Sequence, residues 1–127
     1  MTWFTPATAR RLLKRIRPTI ETLHRIYLEL ERRRPRYPAS DRPVDPVYFA
    51  MSSRLATGLA RLRADGLRVD EFRHGRVDFP ALLGERLVML CWHVGEPDLG
   101  FWHEPGDGER RYPLPAADPP PSSDTAA

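Results

Sequence analysis

The chain has 127 residues, 41% of them hydrophobic and 29% charged, which are the proportions of an ordinary soluble protein. That length supplies one domain of roughly 100 residues with a modest core, and no apolar run approaches the ~20 residues of a membrane span, Leu87 to Trp92 being the longest. The formal charge of +3 hides an asymmetry: residues 1–36 carry ten Arg and Lys against three Glu, while residues 37–127 carry ten basic residues against fourteen acids.

The opening Met1-Thr2-Trp3-Phe4-Thr5-Pro6 has neither the basic n-region nor the apolar h-region of a secretory leader. A single cysteine, Cys91, forms no internal disulfide and agrees with a reducing compartment, so the expected address is cytoplasmic. Thr5 followed by Pro6 is a helix start, a hydroxyl to cap orphan amides and then a proline where its missing N–H costs nothing. Ala9, Leu13, Ile16, Ile20, Leu23, Tyr27 and Leu30 recur at alternating spacings of 4 and 3, a heptad seam that predicts a helix over about 5–34. Pro18 lies inside this pattern and predicts a kink near Lys14 to Pro18, or two helices broken there. Three prolines between Arg34 and Pro43 make that stretch a connecting loop.

Asp45-Pro46 repeats the cap-then-proline signal, and Gly66 is a left-handed terminator, which predicts a second helix over about 45–65. Tyr48, Met51 or Ser52, Leu55, Leu59 and Leu62 continue the 3/4 spacing, so the two helices should form an antiparallel, coiled-coil-like hairpin. The first helix is the longer, and part of its seam must be covered by a sheet or by a second subunit. After Gly66 the period becomes 2. Leu67 to Phe72, Arg76 to Leu82, Leu87 to Val94 and Leu99 to Glu104 read as short strands of an antiparallel meander of three or four strands, with Arg73-His74-Gly75 as a turn. From Gly106 onward, and above all in Pro119-Pro120-Pro121-Ser122-Ser123-Asp124, the composition cannot bury a core and predicts disorder. The expected organisation is a single α+β domain over 1–114, with strands within about 67–104, and a disordered tail over 115–127.

The order Gly66, Val77-Asp78-Phe79-Pro80-Ala81, Leu90-Cys91-Trp92, Gly95-Glu96-Pro97, Trp102-His103-Glu104 and Arg111-Tyr112-Pro113-Leu114 resembles the prokaryotic family called domain of unknown function 2203, over roughly residues 4 to 114. The resemblance implies a small bacterial protein with a helical N-terminal half, and it carries no assigned activity. It also implies Lys or Arg where this chain has His93, and Arg-Gln-Pro-Leu where it has Arg111-Tyr112-Pro113-Leu114.

Asp78, Cys91, Glu96, His103 and Glu104 form the candidate functional cluster, because carboxylate, thiol and imidazole groups crowd into one strand-rich segment. Cys91 and His93 are two apart on a strand and share a face, so with His103 on a neighbouring strand they offer three ligands to zinc or another divalent metal. Packing alone also accounts for a lone cysteine between Leu90 and Trp92. Glu96, ahead of Pro97, can equally satisfy backbone amides in its turn. Trp92 and Trp102 read as core that cements the sheet onto the helices, and His103 as a residue that hydrogen-bonds a carboxylate such as Asp78. Arg10, Arg11, Lys14, Arg15, Arg17 and Arg25 form a basic surface on the first helix, but no nucleic-acid motif accompanies them. The sequence therefore favours a non-enzymatic interaction module that self-associates through the uncovered helical seam. It predicts no cofactor and no membrane partner and leaves the catalytic residues open; a metal- or small-ligand-binding protein or enzyme using Asp78, Cys91, Glu96 and His103 is the alternative, and nucleic-acid binding through the basic first helix is a weaker one.

Overall fold

The structure, a computed structural model, describes residues 3–34 and 45–115. The predicted loop and tail fall, except for Arg34 and Pro115, outside the described residues. Helix α1 (Pro6–Arg33) and helix α2 (Pro46–Ala64) precede four strands, β1 (Val77–Leu83), β2 (Arg86–Trp92), β3 (Phe101–His103) and β4 (Tyr112–Pro113). The strands pair in the order β1-β2-β3-β4, each antiparallel to the next, so the fold is α+β with a meander sheet.

Local chemistry sets the element ends. Thr5 and Thr8 form a reciprocal capping box at the start of α1, and the Asp45 carboxylate accepts from the Val47 and Tyr48 amides at the start of α2. Gly66, at φ +102°, ends α2 in a Schellman motif: its amide donates to the Arg63 carbonyl and the Leu67 amide to the Leu62 carbonyl, while Leu62 and Leu67 are both buried. Helix α1 runs unbroken through Pro18, which excludes the two-helix alternative. Gly84 has positive φ and no non-glycine residue among those described does, so the two-residue Gly84-Glu85 link is a type II′ turn.

Three expectations need correction. Residues 67–72 do not form a strand; only Arg68 bridges β1, at Asp78, because Phe4 pairs with Ala81 along the same edge and the Glu71 carboxylate turns back to accept from the Arg73 amide. Together Phe4 and Arg68 cover the outer edge of β1. The Asp78 and Leu82 amides point to that edge, so Pro80, of the same parity, lacks its N–H there and removes no bond to β2. The chain also stays ordered past Gly106: Tyr112–Pro113 adds a strand, and Leu114 is buried with its amide donating to the Gly100 carbonyl. Composition missed this because one leucine and one arginine, not an apolar run, anchor the segment.

The third correction concerns the helical seam. Ala9, Leu13, Ile20, Leu23, Ile26 and Leu30 of α1 are buried, so the seam is already covered; Ile16 and Tyr27 are half-buried. They pack on the sheet face formed by Val77, Phe79 and Ala81 and their cross-strand partners Trp92, Leu90 and Val88, all fully buried. Helix α2 differs, since only Leu62 of its 19 residues is buried. The helices approach closely at Gly58, where an added Cβ would collide with a Leu23 methyl. Among the described residues no helix is long and apolar enough to cross a membrane.

Candidate functional site

Strand register places the polar residues. Because side chains alternate, the sheet face opposite the helices carries Asp78 beside Cys91, Cys91 beside Phe101, and Met89 beside both Pro80 and His103. Asp78, Cys91 and His103 are all buried, and one ligand-capable atom from each lies within 4.8 Å of the others. Of the five residues the sequence grouped, these three come together. His93 does not join them: it lies beyond β2, its ring stacks on His74 at 6.2 Å, and the zinc set Cys91/His93/His103 is not assembled. Glu104 turns outward to an ion pair with Arg86.

Arg76, two residues before Asp78 and on the same face, holds the cluster. Its Nη2 lies 3.2 Å from Asp78 Oδ2 and 2.8 Å from His103 Nε2, while its Nη1 donates to the Gly108 carbonyl. His103 Nδ1 faces the Glu104 carbonyl at 2.8 Å and so carries the ring proton, which leaves the Nε2 lone pair directed at Arg76 and Asp78. Burial raises the Cys91 thiol, and the neighbouring Asp78 carboxylate adds to the effect; against the lesser pull of Arg111 and Arg76 it is pushed up to about 12. A cleft of about 290 Å³ lined by Arg68, Asp70, Glu71 and Met89 reaches Asp78 and His103 from solvent.

Glu96 belongs to a second knot. Its carboxylate accepts two hydrogen bonds from Arg111, at 2.8 and 2.9 Å, and one from the His93 amide at 2.8 Å, while its carbonyl accepts from the Trp92 indole and from Arg17. Burial alone would raise its carboxyl, but the Arg111 and His93 hydrogen bonds outweigh it and hold the group below the usual range. Arg111 also donates to the Cys91 carbonyl and lies over the Phe101 ring, so it joins this knot to the buried cluster. The Gly95-Glu96-Pro97 turn thus ties α1, the end of β2 and the C-terminal segment together.

Arg76 and Arg111 are the residues that sequence reasoning missed. Arg76 carried a signal, the period-2 spacing to Asp78. Arg111 carried only its place in the Arg111-Tyr112-Pro113-Leu114 motif, which names no partner, because only the β3–β4 pairing turns it back over the sheet. The basic surface is partly committed as well: Arg10 donates to the Leu99 and Pro115 carbonyls and Arg17 to those of Glu96 and Pro97. Trp92 is fully buried as expected, whereas Trp102 is half-buried, packed on Tyr112 with the rings tilted by 31° at 4.7 Å, and capped by Arg86.

These features define a small α+β domain with a helix pair on one face of a meander sheet and a buried polar cluster on the other. The chain belongs to the family described as "Uncharacterized conserved protein (DUF2203)", whose model matches residues 2–113. No curated protein and no solved structure matches it.

Proposed function

We propose that the protein is a non-enzymatic interaction module that forms a homodimer through the outer face of α2. The observation that carries this reading is that α2 has only Leu62 buried and, while Tyr48, Met51, Leu55 and Leu59 pack against the core, it leaves Val47 and Phe49 on its outer side. A helix without a clear polar face is ordinarily covered on more than one side. Phe49 is 62% exposed and Val47 51% exposed. One and two turns beyond Phe49, Ser53 and Thr57 line a groove of about 640 Å³ between the helices, with Pro18, Thr22 and Gly58.

Phe49 and Thr57 are about 12 Å apart along α2. A two-fold axis passing near Ser53 would set each Phe49 against the partner's groove, a self-complementary arrangement. An enzymatic role has weaker support. The Cys91 thiol is held protonated, and Asp78 and Glu96 are each committed to an arginine. A nucleic-acid role for α1 is weakened by the carbonyl bonds of Arg10 and Arg17.

Light scattering across a concentration series tests the proposal. The expected result is twice the 14.6 kDa chain mass, falling toward one chain for Phe49→Asp. Burying a phenylalanine contributes about 1.5–3 kcal/mol, and two are buried per dimer, so the variant should weaken association by about two to four decades. A wild-type mass that stays monomeric at every concentration would refute the dimer.

A further inference from the structure

We infer that Asp78, Cys91 and His103 are a binding site for a thiophilic divalent transition ion, zinc foremost. Four observations converge. The three donors come from three adjacent strands, and their ligand atoms lie within 4.8 Å of one another. The donor set of thiolate, imidazole and carboxylate is one that zinc accepts, and three protein ligands leave a fourth position for water or a small ligand. His103 is pre-oriented: its Nδ1 proton goes to the Glu104 carbonyl at 2.8 Å, which turns the Nε2 lone pair inward, as ligating histidines require. Finally, the point between Nε2 and Asp78 Oδ2 is already taken by a cation, the Arg76 Nη2, at 2.8 and 3.2 Å from them.

Arg76 is therefore the competitor of the metal. Its side chain is 25% exposed, so the guanidinium can swing out along the cleft lined by Asp70 and Glu71, which is also an entry path for the ion. Binding forms the metal bonds to Sγ, Nε2 and a carboxylate oxygen; the thiol proton leaves Sγ for solvent, and no electron is transferred. Thiolate and carboxylate then balance the two positive charges of the ion, as Arg76 now balances Asp78 alone. The site is independent of the α2 face, so either proposal stands or falls alone.

The experiment is a cobalt(II) titration of the full chain, tagless and prepared without chelator, read by absorption and by metal content per chain. The expected result is saturation at one equivalent with a thiolate-to-cobalt charge-transfer band. That band should vanish in Cys91→Ala, and affinity should fall in His103→Gln. Arg76→Ala, which removes the competing cation, should tighten binding about tenfold, or ~1.4 kcal/mol. Should Cys91→Ala not fold, the wild-type band still reports sulfur ligation directly, and the Arg76→Ala affinity provides the second arm. Uptake well below one equivalent, uptake without the sulfur band, or uptake by Arg76→Ala alone would each overturn the inference.

Discussion

Glu96 illustrates how a residue that looks like chemistry can be architecture. Its carboxylate fixes the Arg111 fork and caps the His93 amide, and its carbonyl holds the indole of a fully buried tryptophan. Glu96→Gln keeps the shape and one acceptor but leaves the half-buried Arg111 without its counter-charge. Hydrogen bonds to charged groups contribute about 1.5–3 kcal/mol each, so a loss of about 2 kcal/mol or more in urea unfolding is expected. A change below about 0.5 kcal/mol, the scale of an ordinary surface substitution, would show that the knot is not a source of stability. The sequence did display Glu96 ahead of Pro97 as a candidate for satisfying backbone amides. It could not display the partner, since Arg111 lies 15 residues on and is brought back only by β3–β4 pairing. The same limit applies to His93: residue parity put it on the Cys91 face, but β2 ends at Trp92 and the ring turns to His74 instead.

At the scale of elements, α1 carries an interior proline without breaking. Pro18 donates no bond to the Lys14 carbonyl and its ring crowds the preceding turn, a defect of about 3 kcal/mol that the buried α1 face offsets. Because Pro18 is exposed, Pro18→Ala should restore the bond without disturbing the core. The expected gain is about 1–3 kcal/mol, visible as a higher thermal midpoint. An unchanged midpoint would mean that the surrounding turn has already relaxed around the ring. Helix ends were legible because each is set by adjacent residues, Thr5-Pro6, Asp45-Pro46 and Gly66. Strand pairing was less so. Leu67, Val69 and Phe72 are buried, as an apolar stretch should be, yet the edge of β1 that residues 67–72 would need is shared with Phe4, more than 60 residues earlier. No local pattern carries that competition. The heptad seam was read correctly as buried on α1, but whether the sheet or a second subunit covered the rest of it was left open, because periodicity locates an apolar face and not what covers it.

For the whole molecule, the sheet face opposite the helices is an electrostatic unit, and its behaviour with pH follows from how its charges are arranged. Arg76 and Arg111 face Asp78 and Glu96, so the buried region is balanced while the Cys91 thiol and the His93 imidazole stay uncharged. His93 sits at its margin, and burial first, then Arg111, with Arg76 and His74 adding smaller repulsions, depress its basicity below the ordinary 6.5 against the weaker opposing pull of Glu96. The unfolded chain therefore takes up a proton at His93 before the folded chain does. Stability should be flat above pH 6.5 and should decline as pH falls from there through the lower folded value. Glu96 acts in a separate window: its folded carboxyl is held below 4.5, so its contribution is present above that pH and is lost only as pH falls further. Urea midpoints from about pH 7 to about pH 5 should thus decline in the wild type and stay nearly level in His93→Gln, whose amide does not titrate. The low-pH loss should survive in His93→Gln and shrink in Glu96→Gln. An undiminished decline in His93→Gln between those values would place the titrating group on another histidine and remove His93 from the charge balance of this face.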